Sequence, residues 1–439
     1  MNLLNLELAY NQDMLSEKTF FELQKIVDNY FSKLQILMKS NNIPFEIGNI
    51  LVIGQATNLL KTKDLWDELV YDSMTTFLES FLKGKITNLG FSYGLSYYSS
   101  IIHFYSKKTG YYKKFLNHFD KTILVYLEKN LDMLLENEEY ILKTQDYDMI
   151  SGISGVVQYL FQLPREMTKN LLKKVVLYLS NLTIPRIYKN CYIPGWYVNG
   201  NDYLTRIRAN EFLDGHINYG MAHGIVGVLA SLIKLGENNV QQTCVNHAID
   251  TILKELEKVK YISQEKIVYY PGMLDVNNYV NSNYQDSGNL RMGWCYGSIS
   301  TLYTLYRAYE YRGEPEKCKQ ICDELEIIIQ AKNRCWKLDS PIICHGFAGT
   351  ALIYKNVYKK MKSTVAKEGY EILIKLILDS YHEDYLYGFK DVFYKMENNV
   401  YRKKSEDKNT FLEGSSGIIS VLLGSMVEEE FSSTLLLLE

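Results

Sequence analysis

Cysteine is scarce in this sequence and forms no recognisable disulfide framework. Seven cysteines are spread over 439 residues, an odd number without compact spacing, which argues against a secreted disulfide scaffold and for reduced thiols in a cytoplasm. Long apolar runs are also missing, and none approaches the roughly 18 residues of a membrane span. Residues 1–15 carry neither the basic start nor the small-residue cleavage site of a signal peptide.

An excess of charge of one sign is equally absent. The 48 basic residues are balanced by 51 acidic residues, which gives a net charge of −3. The clustered basic footprint of a nucleic-acid-binding protein is missing, so we expect no nucleic-acid partner. Apolar residues make up 47% and charged residues 23% of the chain, as is typical of a soluble globular protein.

What the sequence does contain is a repeated phrase: a polar or aromatic residue, a glycine, two further residues, often a second glycine, and an apolar run. The first glycines of the six clear copies are Gly94, Gly152, Gly224, Gly297, Gly346 and Gly414. The second glycines are Gly155, Gly227, Gly349 and Gly417, while Tyr97 and Ser300 stand at that position in the other two copies. We expect a seventh, degenerate copy at Gly54.

The repeats predict pairs of helices. Successive first glycines are 49 to 73 residues apart, which is long enough for two antiparallel helices and the loops that connect them. The residues after each glycine are apolar nearly all round, as in IVGVLASLIKL, and predict a buried inner helix. The intervening stretches, such as CKQICDELEIIIQ, have one apolar and one charged face and predict an outer helix.

Such units cannot bury their apolar faces alone and must stack on their neighbours. The spacing permits an open solenoid or a closed ring, and we favour the ring because the terminal units show no polar cap. The first glycine of each phrase is expected to allow close backbone approach before the helix, and the second to let two helices pack tightly.

Two stretches interrupt the helical pattern. Residues 183–208 hold two prolines and Asn-Gly-type turns among β-branched and aromatic residues, which predicts hairpins. Residues 266–289 are polar and lack periodicity, which predicts a long loop. Loops of this length in compact domains usually have a function.

Unusual residues precede the first glycines, and in a ring these positions meet at one mouth. They are Asp148, His223, the pair Cys295 and Tyr296, the pair Cys344 and His345, and Glu413. A single buried cysteine or a single histidine at a helix start is more often a packing or polar residue than a ligand. The coincidence of both types at equivalent repeat positions favours a site.

Cys295, Cys344 and His345 together predict a zinc site. The two cysteines are 49 residues apart but would be neighbours in a ring, and catalytic zinc commonly has three protein ligands and one open position. Cys318 and Cys322 are instead expected to pack in the core, because a four-residue spacing on an outer helix places both on its inward stripe.

At this point the sequence resembles the lanthionine synthetase C-like family, the cyclases of lantibiotic biosynthesis. The resemblance extends over nearly the whole chain and is sharpest at YDMISGISG, NYGMAHGIVG, RMGWCYG, ICHGFAGT and FLEGSSG. It implies a single all-α domain over residues 1–439, an α/α toroid of about seven inner and seven outer helices. It also implies a small SH2-like β-containing insertion, to which residues 183–208 are assigned, and the length is similar to that of a stand-alone cyclase.

The resemblance further implies one Zn²⁺ ion, bound by Cys295, Cys344 and His345. The reaction it implies is the addition of a cysteine thiol to dehydroalanine or dehydrobutyrine in the same dehydrated precursor peptide, which forms lanthionine or methyllanthionine rings. Four residues match the family's catalytic positions: His223 as the acid, Asp148 as its orienting group or as a proton acceptor, Arg291 as the stabiliser of negative charge, and Tyr296 as a hydrogen-bond donor.

The implied partners are the precursor peptide with its leader, a dehydratase and a peptide transporter. The implied location is the cytoplasm, at the inner face of the membrane through these partners. Two alternatives stay open: a zinc-containing scaffold of such a complex with little turnover, and a relative that adds glutathione to dehydrated residues. Presence of His223, Asp148 and Arg291 beside the zinc residues favours an enzyme, because a scaffold needs only the metal.

Overall fold

A computed structural model describes most of the chain. The described residues are 3–9, 14–40, 46–84, 88–137, 140–202, 212–285, 291–331, 336–397, 400–427 and 431–439. Among them, no helix combines the length and the apolarity that a membrane span requires.

Helices make up most of the described structure. After a 3₁₀ turn at Leu6–Leu8, the first nine helices are α1 (Glu17–Lys39), α2 (Ile47–Ala56), α3 (Lys63–Leu82), α4 (Leu95–Thr109), α5 (Lys113–Glu136), α6 (Thr144–Tyr147), α7 (Ile153–Leu160), α8 (Arg165–Asn181) and α9 (Ile225–Glu237). The others are α10 (Gln242–Val259), α11 (Val276–Val280), α12 (Ser298–Arg312), α13 (Pro315–Ala331), α14 (Phe347–Met361), α15 (Thr364–Asp379), α16 (Ser415–Leu423) and α17 (Ser432–Leu435).

Within the described residues, seven of these helices form a closed inner ring. They are α2, α4, α7, α9, α12, α14 and α16, each packed against the next, and α16 packs back against α2. Every residue of α2, α7 and α16 is buried, as expected of helices that are apolar on all sides. The predicted ring, rather than an open solenoid, is therefore confirmed.

Seven outer helices surround this ring in the described part of the chain, namely α1, α3, α5, α8, α10, α13 and α15. Each has one buried stripe. In α10, for example, Val245, Ile249, Ile252 and Leu256 are buried at helical spacing. The contact of α15 with α1 brings the two ends of this layer together. The all-α double ring predicted from the repeats is thus observed.

Four two-stranded antiparallel sheets complete the described structure. They pair β1 (Arg186–Tyr188) with β2 (Cys191–Ile193), β3 (His216–Asn218) with β6 (Met273–Asp275), β4 (Tyr261–Ile262) with β5 (Val268–Tyr269), and β7 (Asp391–Glu397) with β8 (Val400–Glu406). The first pair confirms a hairpin within residues 183–208, of which 203–208 lie outside the described residues. Its assignment to an SH2-like insertion stays a prediction.

The long loop predicted for residues 266–289 is wrong over its first part. Residues 266–285 contain β5, β6 and α11, whereas 286–289 lie outside the described residues. Leu274, Val276 and Tyr279 are buried there, and β6 pairs with β3, nearly sixty residues earlier in the chain. Because the two strands are distant in sequence, no local pattern of residues indicates that they pair.

The seventh repeat also differs from its prediction. Its inner helix α2 begins at Ile47, directly after Glu46, and Gly54 lies near the end of that helix rather than before it. At the six clear copies, by contrast, the first glycine is the residue immediately before the inner helix, as predicted.

The second glycines have a role that the sequence did not suggest. At Gly155, Gly227, Gly349 and Gly417, an added Cβ would meet, as its nearest atom, the backbone carbonyl oxygen of the residue six positions earlier. The loop before each inner helix therefore folds back onto the first turn of that helix. Contact between helices is secondary, so the expected helix-to-helix packing role is corrected to a loop-to-helix one.

We expect Gly349→Ala to destabilise the protein. The new methyl group would press on the carbonyl of Ile343, so the free energy of unfolding should fall by about 2 kcal/mol or more, measured from urea denaturation. The matched control is Ser300→Ala, at the equivalent position of another repeat, which removes only a hydrogen bond to Gly297 O and should cost less than about 1 kcal/mol. Equal losses for the two variants would contradict the packing argument.

Candidate functional site

Backbone hydrogen bonds join the loops that precede the inner helices, here called the mouth loops, into a belt around one end of the ring. The N–H groups donate as follows: Phe91 to Met149 O (3.3 Å), Met149 to Ala222 O (3.0 Å), Met221 to Cys295 O (2.9 Å), Cys295 to Cys344 O (3.0 Å) and Cys344 to Leu412 O (2.9 Å). The belt spans six successive repeats. It brings residues that are far apart in sequence to adjacent positions at the mouth.

Cys295 and Cys344 are brought together by this belt. Cys295 is buried and Cys344 is partly buried, and the Cys295 N–H donates to Cys344 O at 3.0 Å. The Cys344 thiol, opposed by burial and assisted by His345 and His223, lowers the pKa of Cys295. The Cys295 thiol and burial in turn raise the pKa of Cys344.

His345 lies beside this pair and is backed by a carboxylate. Its Nε2 atom is 3.3 Å from Oδ1 of Asp391, which also accepts a hydrogen bond of 2.9 Å from Ser340 Oγ. Burial disfavours the imidazolium, but Asp391 and the thiolate of Cys295 outweigh this effect and raise the pKa of His345. The negative charge of Asp391 and Cys295 therefore favours the protonated form of His345.

His223 and Asp148 form a second polar pair at the same mouth. Nδ1 of His223 is 2.6 Å from Oδ2 of Asp148, and the other carboxylate oxygen accepts the N–H groups of Ser151 (2.7 Å) and Gly152 (2.9 Å). Burial disfavours charge on His223, but its hydrogen bond with Asp148 and that carboxylate's charge raise its pKa. The Asp148 side chain is 3% exposed and that of His223 26%, so the imidazole is the accessible member of the pair.

Tyr296 lies next to His223. Asn218 Nδ2 donates a 2.9 Å hydrogen bond to the Tyr296 hydroxyl oxygen, and the Tyr296 and His223 ring centroids are 6.4 Å apart. The same Asn218 accepts the N–H of Gly220 through Oδ1 at 3.0 Å. Asn218 therefore ties the tyrosine to the loop that carries the histidine.

Arg291 is the most loosely held of the predicted residues. Its Nη2 atom is 4.0 Å from Oδ1 of Asp339, and its side chain is 29% exposed. This is an ion pair at the limit of contact, and it leaves the guanidinium at the edge of the site with access to solvent.

The three predicted metal ligands are adjacent but are not arranged as a closed metal site. In the described part of the chain, no three His, Cys, Asp or Glu side chains stand in such an arrangement. The donor set nevertheless fits zinc in its chemistry. Two cysteine thiols and an imidazole beside a carboxylate are groups that zinc binds after they lose their protons.

Sequence reasoning missed three polar residues of this region. Asp391 supports His345 and Asn218 supports Tyr296, yet both lie far in sequence from the residues they support and carry no motif. The third, Glu46, shares a pocket with Phe91, Tyr93 and Phe411, where burial raises its pKa to about 7. Glu46 stands directly before α2, at the position that Gly414 occupies before α16, and no motif marked it in the sequence.

A closed double ring of helices whose mouth presents paired cysteines, a histidine and a His–Asp pair defines an α/α-toroid protein with a polar site at one end. The chain belongs to the lanthionine synthetase C-like family, whose family model matches residues 47–436. The family resemblance of the sequence is therefore confirmed.

Two individual proteins are similar to the chain. "Nisin biosynthesis protein NisC" of Lactococcus lactis subsp. lactis is 26% identical over 280 residues, which cover 63% of this chain and 60% of that protein. The chain thus matches less than two thirds of the length of this curated relative. The solved structure of a nisin cyclase matches this chain with a TM-score of 0.76 at 19% identity. The match covers 96% of this chain and 98% of the nisin cyclase chain, so the two proteins share a fold.

We expect Asp148 to have a structural role that can be separated from its pairing with His223. Asp148→Ala removes the acceptor of two N–H groups and should lower the free energy of unfolding by about 1–3 kcal/mol. Asp148→Asn keeps one acceptor oxygen and should cost less than about 1 kcal/mol. Urea denaturation at pH 7 measures both, and equal losses would show that the two backbone N–H groups do not depend on this side chain.

Proposed function

We propose that this protein is a zinc-dependent peptide cyclase that adds cysteine thiols of a dehydrated precursor peptide to dehydroalanine or dehydrobutyrine. The observation that carries the proposal is the backbone hydrogen bond of 3.0 Å from Cys295 to Cys344, which places both cysteines beside His345 and at the same mouth as the His223–Asp148 pair. Membership of the lanthionine synthetase C-like family supports the same reaction.

Cys295, Cys344 and His345 are the residues that would hold the metal. When bound there, zinc supplies the Lewis acidity that lowers the pKa of a nearby thiol from its ordinary value of about 8.5. Asp391 lies behind His345 and would fix the orientation of its ring, as carboxylates commonly do for histidine ligands.

The reaction requires two proton transfers, one from the substrate thiol to a base or solvent and one to the α carbon, and the protein's own residues can perform the second. The substrate thiol loses its proton, its sulfur bonds to Cβ of the dehydro residue, and the double-bond electron pair moves toward the carbonyl oxygen. Cα must then gain a proton, so the net reaction is an addition without an oxidant or reductant. With Nδ1 of His223 bound to Asp148, the Nε2 atom is the position from which that proton would be delivered.

Arg291 and Tyr296 would act on the negative charge that develops at the substrate carbonyl. The Arg291 guanidinium lies at the edge of the site, and a charged donor there stabilises an enolate oxygen most strongly when it is already positioned. Tyr296 is held by Asn218, which would fix a second polar group on the same side as His223.

The proposed substrate is a peptide, in agreement with the names of the two similar proteins. One relative is named for nisin biosynthesis and the other is named a nisin cyclase. A precursor peptide with a leader, together with a dehydratase and a peptide transporter in a membrane-associated complex at the cytoplasmic face, completes the proposal.

We expect Cys295→Ala and Cys344→Ala to lose zinc and ring formation together. The purified wild-type protein should contain about one zinc ion per chain, because three protein ligands define one site, and each variant should lose most of it. Zinc is measured by elemental mass spectrometry. Ring formation is measured by counting alkylated thiols in a dehydrated, cysteine-containing precursor peptide. Cys318→Ala, on α13, is the matched control and should retain both properties.

Other outcomes of this experiment would identify the alternatives. Zinc without loss of free thiols over a range of dehydrated peptides would contradict the cyclase and indicate a scaffold. Formation of glutathione adducts in place of rings would indicate the glutathione-adding activity.

We expect His223→Gln to slow ring formation by about 10²-fold or more, since general acid catalysis commonly contributes that factor. The zinc content should not change, because His223 is not a proposed ligand. His247→Gln, at an exposed position of the outer helix α10, is the matched control and should leave the rate unchanged. A His223→Gln variant with a normal rate and normal zinc would remove this residue from the mechanism.

A further inference from the structure

A partly buried carboxylate stands between the two ends of the belt of mouth loops. The belt runs from Phe91 to Leu412, and the inner helix α2 packs between α4 and α16, the helices that follow these two loops. Glu46 is the residue directly before α2. Its side chain lines a small pocket together with Phe91 and Leu412, so Glu46 belongs to the mouth.

The carboxylate of Glu46 lacks a partner that would stabilise its charge. Within the described residues it has neither a hydrogen bond nor an ion pair. The pocket around it is formed largely by Phe91, Tyr97 and Phe411, whose ring centroids are between 5.2 and 6.1 Å apart. Removing a carboxylate from water without a partner costs free energy, and burial accordingly raises the pKa of Glu46 to about 7. Such a group at a candidate site favours a functional role.

Other titratable groups face Glu46 from the elements packed around it. They are five tyrosines, namely Tyr30 on α1, Tyr93, Tyr97 and Tyr98 at the start of α4, and Tyr387 before β7. Burial raises the pKa of all five, so these phenols remain neutral when Glu46 gains or loses its proton. Glu413 and Lys408 lie beyond Tyr93 and pair with each other at 3.2 Å. The charge of Glu46 is therefore left without compensation.

Three other carboxylates of the mouth are already committed. Each has a partner within 3.3 Å: His223 for Asp148, His345 for Asp391 and Lys408 for Glu413. A carboxylate whose charged form is stabilised by a partner is a weaker base. Among these four described carboxylates, Glu46 is the one best suited to accept a proton.

The pocket adjoins the loops that carry the proposed zinc ligands. The carbonyl of Leu412 accepts the N–H of Cys344 at 2.9 Å, and the ring of Phe91 lies 6.5 Å from that of Trp294, the residue before Cys295. A pocket volume of about 10 Å³ is near the minimum that holds one water molecule, so a substrate side chain does not fit. One water is enough to pass a proton from a thiol outside the pocket to the carboxylate.

We propose that Glu46 accepts, through one water molecule, the proton that the substrate thiol loses during cyclisation. This inference rests on the proposed function, because it assigns the first of the two proton transfers of that reaction. The S–H bond breaks, its electron pair stays on sulfur and forms the bond to Cβ, and the proton joins a carboxylate oxygen of Glu46. His223 gives its proton to Cα. Afterwards Glu46 releases a proton to solvent and His223 takes one up, so no proton is gained or lost overall.

The pH dependence of ring formation tests this assignment through the variant Glu46→Gln. We expect the variant to keep its zinc and to form rings about 10²-fold more slowly than the wild type at pH 8. The ratio of the two rates should fall about tenfold between pH 8 and pH 6, because Glu46, with its pKa of about 7, is mostly protonated at the lower pH. Glu46→Asp keeps a base and should recover part of the rate. The matched control, Glu79→Gln on α3, changes a glutamate that is 65% exposed and should behave as the wild type does.

A second readout does not require turnover. Burial raises the pKa of Glu46 from 4.5 to about 7, so between these values the folded protein binds more protons than the unfolded chain, and the stability contributed by this group is lost as the pH rises. Glu46→Gln cannot ionise. Its urea midpoint should therefore increase, relative to that of the wild type, when the pH is raised from 5 to 8. The same difference at both pH values would contradict a buried carboxylate without a partner.

Failure of this inference is distinguishable from failure of the proposed function. A wild-type protein that forms no rings on dehydrated peptides would overturn the proposed function and this inference with it. If the wild type forms rings and Glu46→Gln forms them at the same rate, or at a ratio that does not change with pH, only the inference is wrong. Loss of zinc in Glu46→Gln would also overturn it. Loss of the pH dependence in Glu413→Gln in place of Glu46→Gln would assign the proton to Glu413.

Discussion

The candidate site depends on backbone hydrogen bonds between successive mouth loops. Each of these bonds contributes only about 0.5–1.5 kcal/mol to stability, but together they fix which loops are neighbours. Cys295 donates to Cys344, and Cys344 donates to Leu412. Because the glycines let each loop fold onto the first turn of its helix, the same short loops both hold the ring together and present the polar side chains.

The side chains of the site are supported by groups outside these loops. Asp391, at the base of the β7–β8 hairpin, lies behind His345, and Asn218, at the end of β3, holds Tyr296. The helical rings therefore set the positions of the loops, whereas the short strands set the orientations of two side chains. Two of the four strand pairs, β3–β6 and β7–β8, therefore contribute residues to the mouth of a predominantly helical fold.

Much of the architecture was predictable because it repeats. Six glycine phrases predicted six inner helices and their first residues, since a glycine before an apolar run has a local meaning that sequence alone conveys. The pairing of Cys295 with Cys344 followed from equivalent repeat positions. Asp391 and Asn218 could not be predicted, because their partners are distant in sequence and an isolated aspartate or asparagine has no pattern. The β3–β6 pairing was missed for the same reason, and α2 was placed incorrectly because its repeat begins with Glu46 and lacks the leading glycine.

The central claim is that Cys295, Cys344 and His345 form one zinc site at the mouth. X-ray absorption at the zinc edge of the zinc-loaded protein tests it most directly, because it reports the atoms around the metal without requiring a substrate. We predict two sulfur ligands at about 2.3 Å and nitrogen or oxygen ligands at about 2.0–2.1 Å, with one sulfur lost in the fraction of Cys344→Ala that still binds zinc when zinc is supplied in excess. A shell of nitrogen and oxygen alone, or a sulfur count unchanged in that variant, would contradict the account.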